Sequence, residues 1–361
     1  MHKFVTYACA GLVGIVTVTQ YVYFAVLAGL ALPLKYLPGL RSAYLEIATY
    51  CFNLTSIWVV AVTTWWAGTR VYRYGVAIPP HHTLTEGRKR GGAVTFNHLS
   101  FADAMMLGCF MATLQGVSSK CFRWISIRYL LNLPHGWMHW MRDDIFVSSG
   151  KSSPAAAARN EAELVRGVSD IADPNHMAQW LFFSPEGSVQ TKKLFAKSIK
   201  WAGAQGLVPL KHHLLPRTKA FAVALRTLGD AVTDIFDVTL GYPRNAKDGD
   251  YGPWRPIDLA LPRDGGLPIH IHCRKVPVPP AAIINDDDAF AAWLYEFFVE
   301  KDRLLDIFYA TGAFPDPVAS AQPAAYTWSV YSWLAQWAVL YALPAAYVSY
   351  ASAAALISWL W

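Results

Sequence analysis

Uncharged stretches dominate the two ends of this chain. No charged residue appears from Phe4 to Leu34, and Ile47 to Gly68 forms a second uncharged run between Glu46 and Arg70. A third follows Asp316 and continues through Trp361. Each is long enough to cross about 30 Å of hydrocarbon or to lie in its interface. Pro344 divides the last run into two shorter helices, a hairpin rather than one rod, because proline breaks a helix interior. Trp328, Trp333, Trp337, Tyr341, Tyr347, Trp359 and Trp361 suit the headgroup layer. A cleaved leader fits poorly, since the first run is too long and a second follows it.

From Tyr74 to Pro317 the pattern becomes that of a globular domain. The apolar runs predict strands at Ala93–Phe96, Trp180–Phe183, Ala220–Leu225, Asp237–Leu240 and Pro268–Val276. Helical periodicity predicts Phe101–Leu114, Pro154–Ile171, Lys192–Ala204 and Ala289–Tyr309. The last has Asp286-Asp287-Asp288 at its start and Gly312 after its end, both strong punctuation. Strands alternating with helices imply an α/β sheet covered on its faces. Gly241–Gly266, rich in Gly, Pro and Asp, reads as a long loop.

Composition supports the division. Of 361 residues, 54% are hydrophobic and 16% charged, too apolar for an ordinary soluble enzyme. The formal charge is +6, with Arg70, Arg73, Arg88, Lys89 and Arg90 crowded after the second apolar run. That bias puts the central domain on the cytoplasmic or matrix side of a membrane and favours anionic lipids. No basic tail or recognition motif points to nucleic acid. The five cysteines are scattered without a CxxC pair, so neither a zinc site nor a disulfide framework is indicated.

The chemistry begins at Asn97-His98-Leu99-Ser100-Phe101-Ala102-Asp103. His98 and Asp103 are five positions apart, about 140° around a helix, so they meet only if His98 lies in the turn before it. Ser100 with an acid three residues on resembles a capping box, which would start the helix at Phe101. Asp103 would then curl back and orient the imidazole as a base for an alcohol. Spacing alone proves little: His139 and Asp144 repeat it without a preceding strand or cap.

Two further elements follow. Trp180–Phe183 leads into Ser184-Pro185-Glu186-Gly187-Ser188, a turn whose backbone N–H groups are able to face an anion. Lys192, Lys193, Lys197 and Lys200 mark a helix ending near Gly206, and Lys211-His212-His213-Leu214-Leu215-Pro216-Arg217-Thr218-Lys219 comes after it. Beside the acidic turn this basic segment suits a phosphate, for which arginine's fork is well shaped. His270 and His272 alternate on a strand, and without a third ligand they read as edge-strand residues rather than a metal site.

These elements, in this order between hydrophobic ends, resemble the lysophospholipid acyltransferase family, nearest its 1-acylglycerol-3-phosphate and lysocardiolipin branch. Asn97 to Asp103 matches the family's Asn-His-x-Ser-x-x-Asp block, and Phe183 to Ser188 matches its Phe-x-Glu-Gly-Thr block with one extra residue. His213 to Phe221 is close to that branch's HLLPRTKGF, and Trp293 to Pro315 resembles its closing helix. The resemblance implies an αβα domain of the glycerol-3-phosphate acyltransferase type over residues 73–316, flanked by membrane helices at 1–72 and a membrane helix pair at 317–361.

It also implies that His98 deprotonates a lysolipid hydroxyl, with Asp103 orienting it, for attack on an acyl-CoA thioester. No resident cofactor and no metal is implied. Glu186, Gly187, Ser188 and Arg217 would bind the acceptor's glycerol phosphate, with Arg142 roughly where a second block carries an arginine. Ser188 stands for the family's Thr, and Val189 for a frequent Arg. The expected setting is an endoplasmic reticulum or mitochondrial membrane, with lysolipid and acyl-CoA as partners. The alternative is a non-catalytic subunit of a membrane complex that keeps the fold.

Overall fold

The computed structural model describes residues 2–76, 91–112, 122–148, 153–172, 180–243, 255–262 and 266–317. The expected C-terminal helix pair and Arg88, Lys89 and Arg90 lie outside them. So do Thr113 and Leu114, at the end of the first expected domain helix, and Cys121.

The chain opens with two long helices, α1 (His2–Leu30) and α2 (Arg41–Ala61), the second ending in a wider turn at Val62–Trp66. Windows at Ala10–Leu30 and Arg41–Thr64 are long and apolar enough to cross a membrane. The two helices are tied by Trp58 Nε1–H donating to Thr17 Oγ1 at 2.8 Å.

The domain is built on strands β1 (Arg70–Gly75), β2 (Gly91–Phe96), β3 (Phe122–Ile127), β4 (Ile145–Val147), β5 (Trp180–Phe183), β6 (Val232–Gly241) and β7 (Pro268–Pro277). They form one sheet in the order β1-β7-β6-β2-β5-β3-β4. From β6 to β4 all neighbours are parallel, and β7 runs antiparallel to β6 with β1 parallel to β7. Parallel strands need crossovers and must be covered on both faces, which is why β2 and β5 read as continuous apolar runs.

The helices of the domain are α3 (Asp103–Ala112), α4 (Pro134–Met141), α5 (Pro154–Ala172), α6 (Lys192–Ala204), α7 (Thr218–Leu228), α8 (Pro256–Ala260), α9 (Ala281–Ile284) and α10 (Asp287–Thr311). Alternate strand residues serve opposite faces. Val94, Phe96, Phe182 and Val238 pack with Met106, Leu107 and Phe110 of α3. Ala93, Leu181 and Ile235 pack with Leu164 of α5, Phe221 of α7 and Phe290 of α10. The described domain is thus the expected αβα sandwich. Close approach fixes one glycine: a Cβ on Gly92 would meet the Trp180 ring at 1.7 Å.

Some expectations fail. Ala220–Leu225 is the middle of α7, because a short apolar run fits a buried helix as well as a strand, and its alanines favour the helix. The first domain helix starts at Asp103 rather than Phe101. β7 is not an edge strand, since it lies between β1 and β6; His270 there bonds the Tyr74 hydroxyl at 2.8 Å and stacks on Tyr72. Within Gly241–Gly266, the turn of helix at α8 interrupts the expected loop.

One buried ion cluster crosses the α10 side of the sheet. Asp237 on β6 pairs with Lys301 Nζ at 2.6 Å and Arg274 Nε at 2.7 Å, and accepts from Thr95 Oγ1 at 2.8 Å. Lys301 and Asp237 are both fully buried. Removing one partner of such a pair leaves an uncompensated charge. Asp237→Ala is therefore expected to lower unfolding free energy by about 3–5 kcal/mol, read as a fall in denaturant midpoint, while Thr95→Val costs far less.

Candidate active site

His98 stands where β2 ends. Asn97 stops the strand by replacing a ladder step with its side chain: Nδ2–H donates to Leu240 O at 3.0 Å, and Oδ1 accepts from Leu240 N at 2.7 Å. The chain then turns outward, and His98 Nδ1 meets Asp103 Oδ2 at 2.9 Å. An ionised carboxylate only accepts, so Nδ1 carries the proton and Nε2 keeps its lone pair. Nε2 has no partner among the described residues, and the His98 side chain is 26% exposed.

Asp103 is fully buried and takes two more donors, the Ser100 N–H at 2.9 Å and the Tyr242 hydroxyl at 3.3 Å. The expected capping box is half formed. Asp103 caps the Ser100 N–H, but Ser100 Oγ accepts from Ala102 N, one residue short of the box pattern. Burial lowers the basicity of His98, but the Asp103 hydrogen bond and charge, with the Glu186 charge, outweigh it and hold His98 above its ordinary pKa.

The turn after β5 clamps the same residue. Gly187, at φ +63°, closes it by donating to Ser184 O at 3.0 Å. Glu186 is buried; its Oε1 accepts the His98 N–H at 2.7 Å and its Oε2 accepts the Leu214 N–H at 3.2 Å. Gln190 N–H in turn donates to the His98 carbonyl at 3.0 Å. Both polar groups of the His98 backbone are therefore held by one loop. Burial pushes the Glu186 carboxyl up to about 7, against the opposing pull of the His98 N–H. The family resemblance implied that Glu186 helps bind the acceptor's glycerol phosphate; here both its oxygens accept from backbone donors.

Arg217 does reach this turn. Its N–H donates to Pro185 O at 2.7 Å, and its Cδ would lie 3.1 Å from a Cβ on Gly187. Its side chain is exposed, and the guanidinium takes no partner among the described residues. Ser188 is half-buried, with its hydroxyl 3.4 Å from Val189 O.

Helix α10 fixes the loop that carries Leu214 and Arg217. Asp302 accepts the N–H groups of Lys211 and His212, each at 2.9 Å, and Asp306 pairs with both side chains at 2.7 Å. Asn97, Gln190, Tyr242 and Asp302 went unnoticed as supports of the site. Asn97 and Asp302 lay inside recognised motifs, but Gln190 acts through its backbone and Tyr242 depends on strand register, neither of which spacing reveals.

His139 and Asp144 form the same pair, Nδ1 to Oδ2 at 2.7 Å. The difference is at the other nitrogen: His139 Nε2 is 3.0 Å from His135 Nε2, and His139 is 4% exposed. A base whose lone pair is already engaged and covered has no access to a substrate hydroxyl. Arg142 belongs to this second cluster. It is buried, donates to Phe122 O at 2.6 Å, lies 4.1 Å over the Phe52 ring and 3.7 Å from Asp144. The structure does not bring it to His98. Among the described residues no group of three or more His, Cys, Asp or Glu side chains is disposed to hold a metal ion.

Known proteins are similar to this chain. A family profile described as "Acyltransferase C-terminus" covers residues 266–336, from before β7 through α10. The rat "1-acyl-sn-glycerol-3-phosphate acyltransferase delta" is 29% identical over 301 residues, 82% of this chain and 72% of the rat protein. Its human counterpart is 28% identical over 298 residues, 82% of this chain and 71% of that protein. An Arabidopsis thaliana protein named "Probable 1-acyl-sn-glycerol-3-phosphate acyltransferase 5" is 36% identical over 160 residues, 44% of this chain and 39% of its own. In these matches, and in the motif blocks around His98, Glu186 and Arg217, the chain is similar to 1-acyl-sn-glycerol-3-phosphate acyltransferases of the lysophospholipid acyltransferase family, at modest identity.

Proposed function

We propose that this protein moves an acyl chain from acyl-CoA to the free hydroxyl of lysophosphatidic acid, at an endoplasmic reticulum or mitochondrial membrane. The relatives' names support that acceptor. Lysocardiolipin, which offers the same hydroxyl and phosphate chemistry, is the second acceptor to assay. The observation that carries the reading is His98: an imidazole oriented by Asp103, clamped through its backbone, with Nε2 unengaged. Its duplicate at His139 lacks that open nitrogen.

In the reaction, Nε2 takes the proton of the acceptor hydroxyl as its oxygen attacks the thioester carbonyl carbon. Asp103 stabilises the imidazolium formed meanwhile. The C–S bond then breaks, and the CoA sulfur recovers the proton from Nε2. The products are a diacyl phospholipid and CoA thiol, with no net change of protons or electrons. Arg217, exposed beside the Gly187 turn, supplies a cation for the acceptor phosphate. Glu186 serves the base rather than the substrate, since a second anion against that phosphate would repel it.

Transfer of labelled acyl-CoA to lysophosphatidic acid tests the reading. Wild type is expected to transfer and His98→Ala to lose about 10²–10⁴-fold. Absence of transfer by wild type across both acceptors would favour the non-catalytic subunit instead. Because His98 is held above its ordinary pKa of about 6.5, the acid limb of kcat/KM is expected above that value. Asp103→Asn leaves burial opposed only by the Glu186 charge, so the limb moves down while the rate falls. Tyr242→Phe removes a donor that weakens Asp103 as a partner, so the limb moves up by less than about one unit. Glu186→Gln is expected to lower kcat with KM nearly unchanged, and Arg217→Ala to raise KM for the phosphate-bearing acceptor.

A further inference from the structure

The helical hairpin of α1 and α2 is fastened to the domain at its turn. Lys35 pairs with Asp143 at 2.5 Å, and Arg41 pairs with Asp143 at 3.1 Å and Asp170 at 3.2 Å. Its other end runs through Val62–Trp66 straight into β1. A hairpin that crossed about 30 Å of hydrocarbon would carry its turn to the side away from the domain. These ion pairs keep both ends on the domain. Meanwhile Leu12, Ile15, Val18, Val22, Val26 and Leu30 make an exposed apolar stripe along α1.

That stripe does not stop at the hairpin. At the turn, Tyr36 and Leu37 are exposed, and Lys35 Nζ lies 5.7 Å from the Trp140 ring on α4. Trp137 is on the same face of α4, three residues away, and is also exposed. Its Nε1–H donates to Leu131 O at 2.8 Å, joining it to the Arg128–Asn132 turn, where Tyr129 is 66% exposed. Apolar area of this extent, edged with Trp and Tyr and accompanied by Lys35, Arg41 and Arg128, has the chemistry of a headgroup boundary rather than of water.

We infer that Tyr129, Leu133, Trp137 and Trp140 contact a lipid bilayer, so that the catalytic domain touches the membrane through α4 beside a hairpin lying along the same surface. The inference rests on the membrane reading above. Helix α4 is the element that also carries the His135–His139 pair, so the second dyad sits directly behind this face and braces it.

A fluorescent amino acid incorporated genetically at position 26, 137 or 230 of the full chain tests both statements separately. The probe is vesicles of phosphatidylcholine and phosphatidic acid carrying acyl chains brominated near the headgroup. Position 26 on α1 and position 137 on α4 are expected to lose more than half their emission relative to unbrominated vesicles. Position 230, an exposed residue after α7, is expected to keep its emission. Quenching at 26 with none at 137 overturns the α4 contact and leaves the membrane reading standing. If 137 is shielded from both bromolipid and aqueous iodide, a protein partner covers it and the inference again falls. Quenching at 137 with none at 26 overturns the placement of the hairpin along the bilayer, and no quenching at either position overturns the membrane reading itself.

Discussion

One buried carboxylate holds three distant segments together. Glu186 accepts an N–H from His98, at the end of β2, and another from Leu214, in the loop before α7. Neither donor has a backbone acceptor of its own there, and an unsatisfied buried N–H costs about 1–3 kcal/mol. The carboxylate settles both at once and so fixes the position of the base relative to the arginine-bearing loop. Everything that makes His98 useful, its orientation by Asp103 and its open Nε2, presupposes that the His98 peptide unit does not move.

Much of the fold was legible because its strands are buried on both faces and its helices are well punctuated. Trp180–Phe183 and Lys192–Ala204 appear at their expected bounds, and α10 starts at the Asp286 cap, which accepts from Asp288 and Ala289. The error at Ala220–Leu225 arose where periodicity does not discriminate: a short apolar run, buried from Phe221 to Leu225, suits either element. The edge position assumed for β7 was a matter of topology, which local pattern does not carry.

The site was legible in a different way. The His98–Asp103 pair was found through its strand and turn context, and the structure forms it at hydrogen-bond distance. The partners of Glu186 and Arg142 were not legible, because a side chain's partner depends on what the fold places opposite it. Glu186 meets backbone N–H groups from two loops, and Arg142 meets a carbonyl, a ring and a carboxylate on the far cluster. The His139–Asp144 pair shows the limit most sharply. Spacing, atom pairing and distance all agree with the His98–Asp103 pair, and the occupancy and burial of the second nitrogen separate the two.

The family profile falls on the part of the chain that contains none of the proposed reacting groups, residues 266–336. Asp302 and Asp306 connect that region to the site. Asp302 holds the backbone of Lys211 and His212 and Asp306 their side chains, and through that loop Leu214, Glu186 and His98 are linked in turn. The position of one histidine thus depends, through three loops, on a helix roughly two hundred residues later. Loss of the charge at Asp302 would slacken that chain of contacts as a loosened peg slackens a string: every part present, and none held at pitch.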